Sequence, residues 1–335
     1  MIGAVFLVIL WTIMYGYMIA ASIDFGMGFY LFYGQYLRRE GRFYAPLQRW
    51  LSPTSEFMNI GFVLIFAAVI GFSPEILLNF QTPLVFCGGF AIVLTVVKGT
   101  FFAFAELLPR GSTASRVFSS GNGIIGIFIP VVLSIALVIS EGGFADYGTG
   151  AFHAFVRSLL FNVYFWSVVL IAVVSIFYIS AMYLVQFAWK MGNEPLTEHF
   201  RNYALFLSMP TVLASGVVFL GLESQNPEHF SAALDGLWPF VLSLICLLAA
   251  VTLVFLRKYP WTFLFVMLQY FFALYGYTVS HFPYLVYPDI VLNSGLSNWA
   301  KSGWFFVFSL VISIGTLVCY LRIRCWNVAD QKHHE

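Results

Sequence analysis

Charge is the scarcest thing in this sequence. Only 15 Asp and Glu and 16 Lys and Arg occur in 335 residues, 9% of the chain, where a soluble domain carries about 25%. So few charges cannot cover a water-exposed surface of this size without very large apolar patches. A water-soluble enzyme is thereby excluded. A net charge of +1 without any basic block also excludes nucleic acid as a partner. The four cysteines, Cys87, Cys246, Cys319 and Cys325, form no C-x-x-C pair, so no disulfide framework is expected. There is no G-x-x-x-x-G-K-[ST] loop and no H-E-x-x-H, which leaves nucleotide and zinc chemistry unsignalled. The start of the chain lacks a basic n-region and its apolar run outlasts a signal peptide, so no cleavage is expected there.

Apolar residues fill the space that charge leaves. They make up 61% of the chain, with 38 Phe, 18 Tyr and 9 Trp, and the mean hydropathy is +0.88. A bilayer crossing needs about 20 mostly apolar residues. Nine stretches qualify, at roughly 3–36, 57–78, 82–107, 120–140, 158–189, 202–222, 236–256, 261–281 and 303–323. All are too long for membrane strands of about 10 residues. The expected fold is therefore an all-α polytopic membrane protein with about nine transmembrane helices. Spans one and five are unusually long and carry related stretches, Tyr15-Gly16-Tyr17-Met18-Ile19-Ala20-Ala21 and Tyr178-Ile179-Ser180-Ala181-Met182-Tyr183. Three more spans follow each, which reads as two pseudo-repeated four-helix bundles plus one extra helix. The divisions are 1–140 for the first bundle, 158–281 for the second and 303–323 for the ninth helix. No polar gap is long enough for a separate domain, so 1–335 reads as a single integral membrane domain.

Basic residues set the direction, because they favour cytoplasmic connections. Of the 16, only Arg157 and Lys301 fall in one alternating set of connections, and Lys98 lies within a span. The rest, from Arg38 to Lys332, fall in the other set. This places the N-terminus outside and the C-terminus in the cytoplasm. Acidic residues such as Glu141, Glu228 and Asp289 then mark outer loops.

An ionisable group inside the membrane is costly and suggests function. The candidates are Asp24 in span one, Glu56 at the start of span two, and Lys98 and Glu106 in span three. All four fall toward the cytoplasmic side. Lys98 lies roughly 22 Å into a core about 30 Å thick, deep enough for its stem to snorkel to the cytoplasmic edge. Pairing of Lys98 with Asp24 or Glu56 would hold that carboxylate ionised. An interfacial position is the plainer account of Glu56 and Glu106. Gly26 and Gly28 follow Asp24 and permit close helix approach or a local break. Acids gathered on this side suit a proton-uptake route. His153, His229 and His281 fall at the outer side, and His199, His333 and His334 at the cytoplasmic side. None is mid-span with a facing ligand, and haem iron needs an axial His, Met or Cys. No cofactor is expected in this chain.

Four places resemble subunit II of the cytochrome bd-type quinol oxidases. Asp24-Phe25-Gly26-Met27-Gly28 is similar to the family's acidic, glycine-rich run near the end of the first helix. Lys98-Gly99-Thr100-Phe101-Phe102-Ala103-Phe104 resembles its third-helix motif, and Ser180-Ala181-Met182-Tyr183-Leu184 its fifth-helix motif. The run from Phe282-Pro283-Tyr284 through Ser294-Gly295-Leu296-Ser297-Asn298-Trp299-Ala300 looks like its last outer loop. The chain departs where the family usually has Arg, at Lys98 and Ala105, and where a Trp-Asp pair usually stands, at Ser55-Glu56. The type of divergence, rather than any single residue, suggests a menaquinol-using branch.

The resemblance implies a haem-free subunit of a terminal oxidase in the bacterial cytoplasmic membrane. Its partner, subunit I, carries haem b and haem d, oxidises quinol at the outer face and reduces dioxygen to water. A small single-helix subunit is expected beside it, and a structural quinone is compatible with the family. The resemblance also implies a proton route in subunit II, which fits the cytoplasmic placement of Asp24, Glu56 and Lys98 read from span depth; with Glu106 these are the candidate proton-pathway residues. The alternative function is a stand-alone secondary transporter built from repeated bundles, which would be expected to break its helices at a midplane site.

Overall fold

In lipid no water is available to satisfy the backbone, so each apolar run must close its own hydrogen bonds as a helix. The computed structural model describes residues 2–36, 61, 63–71, 74–109, 112–144, 152–292, 294–301 and 303–315. Among them the principal helices are α1 (Ile2–Tyr36), α2 (Pro74–Asn79), α3 (Gln81–Leu107), α4 (Thr113–Ser140), α5 (Phe152–Leu160), α6 (Val163–Lys190) and α7 (Glu194–Gln225). They continue with α8 (Pro227–Asp235), α9 (Trp238–Phe255), α10 (Thr262–His281) and α11 (Ser294–Lys301), then α12 (Gly303–Gly315). A two-stranded hairpin, β1 (Tyr284–Val286) and β2 (Ile290–Val291), lies between α10 and α11.

Seven of the described helices are long and apolar enough to cross a membrane: α1, α3, α4, α6, α7, α9 and α10, the last with the 3₁₀ turn that precedes it. Of the expected second span, residues 63–71 and α2 are helical, and of the ninth, α12. The remainder of both spans lies outside the described residues.

Local chemistry moved several helix ends from where hydropathy alone puts them. The fourth span starts at Thr113 rather than 120, because Ser112 caps α4 by accepting from the Ser115 amide. Polar Thr113, Ser115, Arg116, Ser119 and Ser120 dilute the apolar signal there. The fifth span starts at Val163, not 158, and the amphipathic α5 precedes it as a separate helix. The break falls at Asn162, whose side chain accepts from the Phe165 amide at 2.9 Å. Its amide nitrogen also donates to Gln225 at the end of α7, at 2.9 Å. Asn162→Ala removes the cap and this tie, and is expected to lower stability by about 1 kcal/mol. A reduced melting temperature of the detergent-solubilised protein would show it; an unchanged one would mean the cap is dispensable.

Helix α1 runs through the middle of the assembly, packing against α4 on one side and α6 on another. Its close approaches are made by glycine. A Cβ on Gly26 would sit 2.5 Å from Ser180 Cβ and 2.9 Å from the Ile176 carbonyl of α6. About half a turn on, Gly28 meets Gly123 of α4, where a Cβ would overlap the Gly28 carbonyl oxygen. The helix is unbroken from Ile2 to Tyr36, so these glycines serve close packing and not a break. Helix α6 is the most enclosed of the described spans, with Tyr178, Ile179, Ala181, Met182 and Leu184 in the core. By contrast α3, α7 and α9 leave Val96, Phe206, Met209, Leu213, Ile245 and Leu248 exposed. Such faces suit lipid or another membrane subunit.

Candidate functional site

Two of the four intramembrane candidates come together. The Lys98 ammonium on α3 donates to Asp24 Oδ2 on α1 at 2.7 Å, and both residues are 1% exposed. The lysine does not snorkel to a membrane edge. It crosses inward, and its Nζ lies 5.4 Å from the centroid of the Phe25 ring. Gly126 of α4 lies beside the lysine stem: a Cβ there would lie 3.5 Å from Lys98 Cε and 3.6 Å from Phe25 Cα, which is ordinary contact. Asn122, one turn before Gly126, is also buried and close to Gly28. Helices α1, α3 and α4 thus surround the pair.

A buried ion pair contributes little net stability, because desolvation offsets most of its attraction. Its strength is conditional: loss of either partner leaves an uncompensated charge in low dielectric. The pair lies nine residues before the end of α3 at Leu107, roughly 14 Å along the axis. Glu106 is near that end and exposed, so it stands apart from the pair, in keeping with an interfacial position. Glu56 lies outside the described residues.

The sequence reading passed over a second polar centre, at the opposite end of the bundle. Glu141, assigned to a loop, is 1% exposed where α4 ends. Its carboxylate meets His229 Nδ1 of α8 at 2.9 and 3.0 Å from its two oxygens. The Tyr277 hydroxyl of α10 donates to Oε1 over a short hydrogen bond, and Asn226 Nδ2 donates to Oε2 at 3.0 Å. His281, the last residue of α10, brings its Nδ1 to 3.4 Å from His229 Nδ1 and 3.6 Å from Glu141 Oε1. Glu141, His229 and His281 therefore offer one ligand atom each to a common point. Burial pushes the Glu141 carboxyl up, but its contacts with the His229 and His281 rings and the Tyr277 hydroxyl outweigh it. The carboxyl is held below its ordinary value.

Backbone geometry closes the chain over this centre. Asn226 caps α8 through the His229 amide at 3.0 Å. Gly142 adopts φ +88°, and a Cβ on it would stand 2.5 Å from the Tyr287 carbonyl in the turn of the hairpin. The Tyr287 amide in turn donates to the Ser140 carbonyl at 2.8 Å. The sequence did place Glu141, His229 and His281 on one side of the membrane. Nothing in their spacing joined them.

Comparison with known proteins bears on the whole chain. The family model for cytochrome bd terminal oxidase subunit II matches residues 2–326. A Bacillus subtilis (strain 168) protein, named as a candidate cytochrome bd menaquinol oxidase subunit II, is 24% identical over 300 residues, 87% of this chain and 85% of that one. The structure of bd oxidase from Geobacillus thermodenitrificans contains a chain 33% identical, with a TM-score of 0.76, covering 98% of this chain and 100% of its own.

Proposed function

The chain belongs to the cytochrome bd terminal oxidase subunit II family, and we propose that it is the haem-free subunit that carries a proton-uptake route for its haem-bearing partner. It is a multi-pass membrane subunit of a quinol oxidase complex that contains haems and another oxidase subunit. In our reading the partner, subunit I, oxidises quinol and reduces dioxygen to water. Menaquinol is the electron donor, as the name of the Bacillus subtilis relative has it for that protein. A small single-helix subunit and a structural quinone belong to the same reading. Nine spans, an outside N-terminus and a cytoplasmic C-terminus complete it, because thirteen basic residues share one set of connections and two the other.

The observation that carries the proton route is the enclosed Asp24–Lys98 pair, 2.7 Å apart, in the half of the span nearer the basic connections. Passage along this route requires the 2.7 Å contact between the carboxylate and the ammonium to open, which makes the pair a gate in this reading. Glu56 and Glu106 supply the approach from the cytoplasm in this reading. The haem-free assignment is supported by the histidine environments. A porphyrin plane between His229 and His281 would pass through the Glu141 carboxylate, which lies 2.9 Å from one ring and 3.6 Å from the other. His153 is exposed on α5, and His199 packs its ring 4.9 Å from Tyr203 in the first turns of α7. The stand-alone transporter fits less well, because α1 passes unbroken through Asp24.

Asp24→Asn tests the route. Oxygen consumption per haem is expected to fall on the order of tenfold or more, measured on the purified complex with an oxygen electrode. Haem content normalises for any loss of assembly. An unchanged rate per haem would remove Asp24 from the path.

A further inference from the structure

We propose that Glu141, His229 and His281 form a binding site for one divalent transition-metal ion of the zinc class, at the end of the bundle remote from the Asp24–Lys98 pair. The argument starts with the hydrogens. Ser280 Oγ donates to the Gly276 carbonyl at 2.8 Å, so it accepts from His229 Nε2, also at 2.8 Å. With its proton on Nε2, a neutral His229 presents the Nδ1 lone pair to the Glu141 carboxylate 2.9 Å away. His281 Nδ1 points into the same space. When His281 also carries its proton on Nε2, three electron-rich atoms face one another and repel unless a cation lies among them. A proton on His229 bridges two of the atoms and leaves the third unsatisfied. A metal ion serves all three.

The spacing supports the metal. Ligands about 2.0–2.1 Å from a tetrahedral zinc lie about 3.3 Å from each other. The three separations here are 2.9, 3.4 and 3.6 Å. Two imidazoles and one carboxylate suit zinc, and the set leaves a fourth position for water. The surrounding contacts orient two of the three ligands. Ser280 fixes the His229 tautomer, while Tyr277 and Asn226 each hold one Glu141 oxygen. The His281 side chain is 10% exposed and gives an entry path, whereas Glu141 is closed off. The ion joins α4, α8 and α10 beneath the 284–291 hairpin, so its first role is to fasten that end of the subunit.

The experiment uses the intact complex purified from membranes, exchanged into metal-free buffer and then incubated with ZnCl₂. Elemental analysis is expected to find one zinc per copy of this chain that His281→Gln reduces about tenfold or more. X-ray absorption at the zinc edge of the wild-type complex is expected to show two imidazoles with N/O ligands at about 2.0–2.1 Å. That measurement needs no variant, so it decides the question even where His281→Gln fails to assemble. A wild-type complex that takes up no zinc overturns the proposal and leaves a histidinium–glutamate pair. Zinc content unchanged in His281→Gln, or a spectrum without two imidazoles, overturns it equally.

Discussion

Lys98→Met is expected to prevent most of the complex from accumulating. The substitution keeps the length and apolar stem of the side chain but removes the ammonium 2.7 Å from Asp24. Both residues are 1% exposed, so water cannot replace the lost partner. Breaking a buried pair in this way costs about 3–5 kcal/mol, a large part of the stability of an ordinary domain. The double variant Asp24→Asn/Lys98→Met removes both charges together, and replacing a buried pair with neutral groups is often close to neutral. It is expected to restore the complex to near its normal amount in membranes while oxygen consumption per haem stays low. Immunoblotting and the oxygen electrode separate the two effects. Normal turnover in the double variant would make the pair purely structural, and normal accumulation of Lys98→Met would show that the pair does not govern stability.

The two polar centres differ in how visible they were. Asp24 and Lys98 stood out because an ion within an apolar run has no cheap explanation. Their pairing was one of two choices, since depth along a span does not tell which way a side chain faces around its helix. Snorkelling was a fair expectation for a lysine at that depth, but it assumes that the side chain faces lipid. Glu141, His229 and His281 were hidden for the opposite reason. Each sits at a helix end, where a polar residue ordinarily meets water. They are separated by 88 and 52 residues, and only the return of α8 beneath the hairpin encloses them. Helix existence was legible from apolar length. Helix starts depended on single side chains, Ser112 and Asn162, that a hydropathy window averages away.

The glycine contacts give an asymmetric expectation about the same crossing. Gly28 and Gly123 face each other across α1 and α4, yet the two positions are not equivalent. A Cβ on Gly28 would meet Gly123 Cα at 3.5 Å and Asn122 Nδ2 at 3.7 Å, which is ordinary contact. A Cβ on Gly123 would overlap the Gly28 carbonyl oxygen and lie 2.9 Å from its carbon. Those are backbone atoms in the interior of a 35-residue helix, and no rotamer change can move them aside. Gly28→Ala is therefore expected to be near neutral, helped slightly by the better helix propensity of alanine. Gly123→Ala must push the helices apart, at about 1–3 kcal/mol or more for an overfilled core. The separation propagates, because Gly126 on the same face of α4 lies against the Lys98 stem and Phe25. Gly123→Ala should accordingly lower both the melting temperature of the complex and its oxygen consumption per haem, while Gly28→Ala changes neither. Equal damage from both would mean that space at this crossing is limited on each side. An unaffected Gly123→Ala would mean that α1 and α4 can slide apart without disturbing the ion pair, whose position α1 and α3 would then fix between them.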